Sequence, residues 1–250
     1  MKKKYNKEIK ERLNLNINDY KEYCETYSSI EIELMPVNNR FGNFINIKKG
    51  DELYYHIYFN NNKEEIKRNY LDENDKVDKI NIIIDYQVNS FNALFNYCEC
   101  IESINFKEFY RKNINDMRWM FLGCKSLKEI NLSNFNTNNV VNMSVMFCGC
   151  KSLKEINLSN FDTSNVIDMS GMFLGCSSLK EINLSNFNTN NVKDMHGMFS
   201  GCSSLKEINL SNFTINNLTD MYRMFSRCSD DIKNKVREQI KNIKEKAFEE

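Results

Sequence analysis

Apolar residues return at fixed places every 26 residues through the second half of the chain. From Met117 the sequence reads MRWMFLGCKSLKEINLSNFNTNNVVN. Close copies start at Met143, Met169 and Met195, and a fifth opens at Met221 as MYRMFSRCSDD before the pattern stops. A fixed period of this length is the mark of stacked-repeat architectures, so it governs every local reading. Within a copy, Ile130 and Leu132 alternate with polar residues, as in a strand. Met117, Met120 and Phe121 lie three and four apart, which predicts one turn of α- or 3₁₀-helix. Gly123 and the Asn-rich stretch 136–139 supply turns at the two corners.

One copy has nine apolar core candidates: Met117, Met120, Phe121, Cys124, Leu127, Ile130, Leu132, Phe135 and Val140. Their burial falls short of the conformational entropy lost in ordering the copy, so copies must stack. The pattern therefore predicts an α/β repeat solenoid. It would be a leucine-rich-repeat-like right-handed coil, with a parallel β-sheet on one face and short helical turns on the other. Equivalent positions then form columns. Phe135, Phe161, Phe187 and Phe213 are expected to make an aromatic spine, and Cys124, Cys150, Cys176, Cys202 and Cys228 a line of small buried side chains.

The flanks differ. Stepping back by 26 aligns Phe91, Leu94–Phe95 and Cys98 with the first clear copy. A second step aligns Val77–Ile82 with its strand, so the solenoid is expected over residues 77–228. Residues 229–250 carry a rough apolar stripe (Ile232, Val236, Ile240, Ile243, Phe248), with Asp230 and Asp231 where a helix start favours acids. They predict a C-terminal helical cap. Residues 1–28 read as a helical segment. Residues 29–76 hold strand-like runs at Ile30–Leu34, Phe44–Ile47 and Leu53–Phe59, and read as a β-rich N-terminal cap or small module.

Composition narrows the function. The 34 basic and 34 acidic residues cancel, which argues against nucleic acid as partner. No apolar run approaches the ~18–20 residues of a membrane span, and the basic start has no apolar stretch of the signal-peptide kind. The expected location is cytoplasmic, with the cell surface as alternative. The sequon Asn131-Leu-Ser recurs in each full copy. Glycans on strands ~5 Å apart would collide, which favours an unglycosylated setting.

Chemistry is sparse. The nine cysteines are odd in number and mostly evenly spaced, which suits a core column of free thiols rather than a disulfide framework. The CxC pairs Cys98/Cys100 and Cys148/Cys150 lack the usual zinc spacing. With two histidines and no phosphate loop, nucleophile elbow or metalloprotease motif, no catalytic, metal or cofactor-binding residue is expected.

The unit V-x-x-M-x-x-M-F-x-G-C-x-S-L-x-x-I-x-L-S-x-F runs over Val166–Phe187, with close copies at Val140–Phe161 and Val192–Phe213. It resembles the BspA-type leucine-rich repeats, in particular their Met-Phe-x-Gly-Cys subgroup, a domain of unknown function. The resemblance implies a leucine-rich-repeat-like fold and a binding role, and the family includes bacterial surface adhesins. Phe135 and its copies stand where leucine-rich repeats usually place Asn or Cys, so no asparagine ladder is expected there.

Two surfaces are candidates for a protein partner. On the strand face, Glu129, Glu155, Glu181 and Glu207 should form one column and Asn131, Asn157, Asn183 and Asn209 another. Lys128, Lys154, Lys180 and Lys206 should run alongside and offset the carboxylates. The alternative is a solvated face copied by duplication. The second surface is the variable pair between the two methionines of each copy, where Trp119, His196, Tyr222 and Arg223 are of types enriched at interfaces. Drift at unconstrained positions explains this equally. The leading expectation is a non-enzymatic protein-interaction scaffold. The alternatives are a surface adhesin and a structural repeat without a dedicated partner.

Overall fold

The structure, a computed structural model, describes residues 27–109, 111–215 and 219–250. The helical expectation for residues 1–28 falls almost wholly outside them. The N-terminal part is built on strands whose alternate residues are isoleucine or leucine. In β1 (Ile30–Pro36), Ile30, Ile32 and Leu34 point into the core, and in β5 (Ile80–Ile84) Ile80, Ile82 and Ile84 do the same. β1 pairs antiparallel with β5 on one side and with β6 (Ile101–Glu108) on the other. β3 (Tyr55–Phe59) pairs antiparallel with β5. β6 then runs parallel to β7 (Glu129–Asn131), with Ile104 opposite Ile130. One five-stranded sheet, β3-β5-β1-β6-β7, thus carries the antiparallel N-terminal part directly into the 26-residue copies.

One boundary moves. The segment 77–82, which looked like an upstream copy, lies in and beside β5, with β1 between it and β6. Alternation with period two marks a strand but not its direction, so an antiparallel strand imitated the repeat. The first stacked copy opens instead near Phe91, whose N–H donates to Asp116 O at 3.0 Å. Of the two other runs read as strands, Phe44 and Ile45 are buried just after β2 (Gly42–Asn43), which pairs with β4 (Tyr70–Leu71). Leu53 lies in a 3₁₀ turn and is exposed.

From Phe91 onward the copies bond to one another in register. The N–H groups of Met117, Trp119, Phe121 and Gly123 donate to the carbonyls of Asn142, Ser144, Met146 and Cys148. Later copies repeat this down to Gly201. The N–H groups in between close tight turns within the copy: Met120 to Met117 O, Leu122 to Trp119 O, Cys124 to Phe121 O. The expected helical turn is therefore not formed. A helix would aim all its N–H groups along its own axis. Here a left-handed residue at Trp119 (φ +59) and another at Gly123 (φ +69) turn alternate peptides toward the neighbour.

The opposite edge is less regular. β7 pairs with β6, and β8 (Glu181–Asn183) pairs in parallel with β9 (Glu207–Asn209), but residues 155–157 form no strand. The parallel sheet expected along this face is thus two short pairs. Register across the gap is held by the turn side, where Asp116, Asn142, Asp168, Asp194 and Asp220 form successive parallel bridges.

Columns of identical residues fill the interior. Phe95, Phe121, Phe147, Phe173, Phe199, Phe225 and Phe248 stack ring on ring, with centroids 5.2–5.9 Å apart. The spine expected at Phe135 is buried, and rings stack at Phe109–Phe135 and Phe135–Phe161. Beside it runs an unforeseen ladder of side-chain amides. Asn160 Nδ2 donates to Leu132 O and Phe135 O, and Asn186 Nδ2 to Leu158 O and Phe161 O. This asparagine ladder lies one residue before the phenylalanines and not at their position. Thr163, buried, donates to Asn188 O at 3.0 Å and accepts from Asn188 N at 2.8 Å.

The C-terminal segment closes the last copy. Helix α1 (Asp230–Gln239) starts at Ser229, whose side chain accepts from Ile232 N, and buries Ile232 and Val236. It is shorter than the stretch 229–250, which ends in a 3₁₀ turn at Glu245–Ala247. Gln239 occupies the open edge of β9: its Oε1 accepts from Leu210 N and its Nε2 donates to Ile208 O, both at 2.8 Å. Lys246 O and Ala247 O receive Arg223 N and Phe225 N, as a further copy would. Phe248 ends the ring column, with Arg237 4.0 Å above its centroid.

Candidate recognition groove

The strand segments place alternate residues outward, so Glu and Asn of each K-E-I-N stretch reach the surface while Ile182 and Ile208 sink into the core. All eight strand-face candidates line one groove of about 1000 Å³. These are Glu129, Glu155, Glu181 and Glu207 with Asn131, Asn157, Asn183 and Asn209. Glu33 of β1 closes its N-terminal end.

The two columns differ in what they have left to offer. Each Asn Oδ1 is spent locally: Asn131, Asn157, Asn183 and Asn209 accept from the N–H of Ser133, Ser159, Ser185 and Ser211 at 3.0–3.1 Å. These are Asx turns that bend the chain off the strand. Asn131 Nδ2 donates to Asn105 Oδ1 at 2.9 Å. The amides of Asn157, Asn183 and Asn209 have no such partner among the described residues.

The carboxylates divide likewise. At one end Glu33 pairs with Lys107 and Lys79, whose hydrogen bonds and charges hold its carboxyl below the usual range against the opposing effect of burial. Lys128 pairs with Glu102 of the preceding copy at 2.7 Å, not with its neighbour Glu129. At the other end Lys235 of α1 reaches Glu207 at 2.9 Å. Among the described residues Glu129, Glu155 and Glu181 have no ion pair. The lysine column runs alongside these three carboxylates without closing an ion pair on them. Lys154, Lys180 and Lys206 line a neighbouring groove on the far side of the same carboxylates.

The other four candidates lie on the turn side. Trp119 is 43% exposed, with Arg118 5.9 Å from its ring centroid, and Arg118 is itself held by Asp116 at 2.7 Å. His196 and Tyr222 meet at 5.5 Å, and Arg223 lies 5.0 Å over Tyr222. They form two separate aromatic–cation pairs. Variation here also follows a backbone rule that the sequence did not disclose. Trp119, Val145, Gly171, Gly197 and Arg223 share one left-handed position, at φ +54 to +60.

The cysteine column is structural. The eight described cysteines are free. Cys124, Cys150, Cys176, Cys202 and Cys228 each donate to the carbonyl of a phenylalanine 29 residues earlier, at 3.0–3.2 Å. Burial pushes the Cys124 and Cys176 thiols up to about 12, far from a reactive thiolate. Among the described residues no cluster of three or more His, Cys, Asp or Glu could hold a metal, and no helix is long and apolar enough to cross a membrane.

Stacked copies of one sequence, presenting a polar groove between two capping ends, are what these residues define. The family described as "Mycoplasma protein of unknown function, DUF285" matches residues 89–181 and again 147–249, together more than half of the chain. The chain belongs to this family. No curated protein and no solved structure matches it.

Proposed function

We propose that this chain is a leucine-rich-repeat-like coil of the BspA type that binds a protein partner in its groove and catalyses no reaction. The observation that carries the reading is the convergence of eight outward side chains, from four copies, on one groove of about 1000 Å³. Three carboxylates and three amides left without a protein partner among the described residues, in one concavity, give a partner groups to engage. The reading takes the cytoplasm as its setting, where free thiols persist.

A photo-crosslinking residue placed at Asn157 or Asn183 in the full chain, expressed in its own cells, should capture one protein. The same residue at Trp119 should not. Capture from Trp119 alone would move the site to the turn side and sink the groove reading. A tagged full-length chain found at the cell surface would sink the cytoplasmic setting.

A further inference from the structure

We propose that the groove takes an extended, basic peptide segment, laid along the stack so that its lysines or arginines meet Glu129, Glu155 and Glu181. The inference rests on the groove reading above and gives the partner its chemistry.

Three features converge on it. First, the carboxylates without an ion pair lie at the middle of the groove, where Lys128 also lines it but is taken by Glu102, and not at its ends. Glu33 and Glu207 are each met by lysines of this chain, whereas the three carboxylates between them have no ion pair among the described residues. Second, the fold already contains a sample of the interaction. Lys235 comes from outside the copies, reaches the last carboxylate of the column at 2.9 Å, and donates to the backbone carbonyl of Lys206 at 2.8 Å. A partner lysine at Glu181 or Glu155 would repeat the ion pair one or two copies earlier without the carbonyl bond, because Lys180 O and Lys154 O already accept from Lys206 N and Lys180 N.

Third, the amides of Asn157 and Asn183 face the same groove with their oxygens committed to Ser159 and Ser185. They offer N–H donors only. An extended segment has free main-chain carbonyls to receive them, whereas a helix has spent its own. Copies ~4.8 Å apart put the three carboxylates within ~10 Å, and same-side residues of an extended chain recur every ~6.6–6.8 Å. The long lysine stem absorbs that offset. Lys154, Lys180 and Lys206 lie across the carboxylate column in the adjoining groove. They confine the negative surface to the asparagine side and set the edge on which the segment can lie.

The test uses the full chain and a labelled peptide of alternating lysine and serine, with a glutamate–serine peptide of equal length as control. Binding is read by fluorescence anisotropy at about 0.15 M salt, where exposed charges are screened beyond ~8 Å. The basic peptide should bind and the acidic one should not. The triple variant Glu129→Gln, Glu155→Gln, Glu181→Gln should bind roughly tenfold or more weakly, with an unchanged melting temperature. Asn183→Asp keeps the acceptor for Ser185 and adds a negative charge, but removes the donor. It should weaken binding, and tighter binding would reduce the interaction to bulk charge and overturn the extended-segment assignment. Equal binding by the triple variant, or no binding of the basic peptide, overturns the proposal. If the crosslinker at Asn157 still captures a protein in that case, the groove reading stands and only its chemistry falls.

Discussion

The thiol of Cys150 donates to the backbone carbonyl of Phe121, 3.2 Å away and 29 residues back in the chain. Phe121 O also accepts from Cys124 N at 3.2 Å, and Cys150 is fully buried beside it. The cysteine supplies a second donor, and the same bond recurs in five copies. Cys176→Ala should therefore destabilise the chain by about 1–2 kcal/mol, from the lost packing and the lost thiol bond to Phe147 O, which keeps its bond from Cys150 N. Urea denaturation measures it, and a change near zero would make the bond incidental.

The same thiols make stability depend on alkaline pH. Their folded values are raised, to about 12 at Cys124 and Cys176 and about 11 at Cys100 and Cys228. The unfolded chain ionises near ~8.5. Their contribution is thus complete below that pH and fades as pH climbs toward 11–12, because only the unfolded form then releases protons. Melting temperatures should fall between pH 8 and pH 10.5, and more steeply for the native chain than for Cys176→Ala. Brief alkylation at pH 8 should label Cys148, half-buried, before any other described cysteine.

Thr163 separates hydrogen bonding from size. Thr163→Val keeps the shape but leaves both the N–H and the carbonyl of Asn188 unmet inside the stack. The loss should be about 1–3 kcal/mol. Thr163→Ser keeps the hydroxyl and should cost less than half as much. Equal losses would mean that the methyl group, not the bond, holds the position.

Val145 is a β-branched residue at φ +60, where two of its equivalents are Gly171 and Gly197. Left-handed backbone costs an L-residue about 1–2 kcal/mol, partly offset by the extra freedom glycine has when unfolded. Val145→Gly should therefore raise stability by about 0.5–1 kcal/mol, read from the shift in denaturation midpoint. A loss would show that the valine side chain earns its place through packing.

Gln239 stands in for a strand. Gln239→Leu would strand Leu210 N and Ile208 O at the end of the sheet and should cost about 2 kcal/mol. It should also promote self-association through the exposed edge, visible by light scattering. A monomer of native stability would show the amide to be dispensable.

What the sequence disclosed and what it hid follow one division. Phe121, Cys150 and Leu153 report their burial through a period that needs no knowledge of backbone shape. The eight strand-face candidates were legible for the same reason, since alternation alone sends Glu181 and Asn183 outward together. Backbone conformation was not legible. The residue types at positions 119, 145 and 223 give no sign of φ above zero, so a ladder of turns read as a helical turn. The Asn160 and Asn186 amides were hidden in an Asn-rich background. The lack of a strand at 155–157 has no counterpart in the letters, because that copy spells the same K-E-I-N as its neighbours. The unpaired state of Glu155 depends on where Lys128 and Lys235 reach, which no spacing rule contains.

The C-terminal segment presents to the last copy two carbonyls, the Glu250 carboxylate and a ring, in place of the four carbonyls and ring that a copy presents to the one before it. The junction is thus indifferent to how many copies precede it. Genes that gain or lose 26 codons in frame would lengthen or shorten the molecule without disturbing either terminus, and each such event would add or remove one carboxylate and one amide. Reach along a bound chain becomes a quantity that recombination can adjust in whole steps.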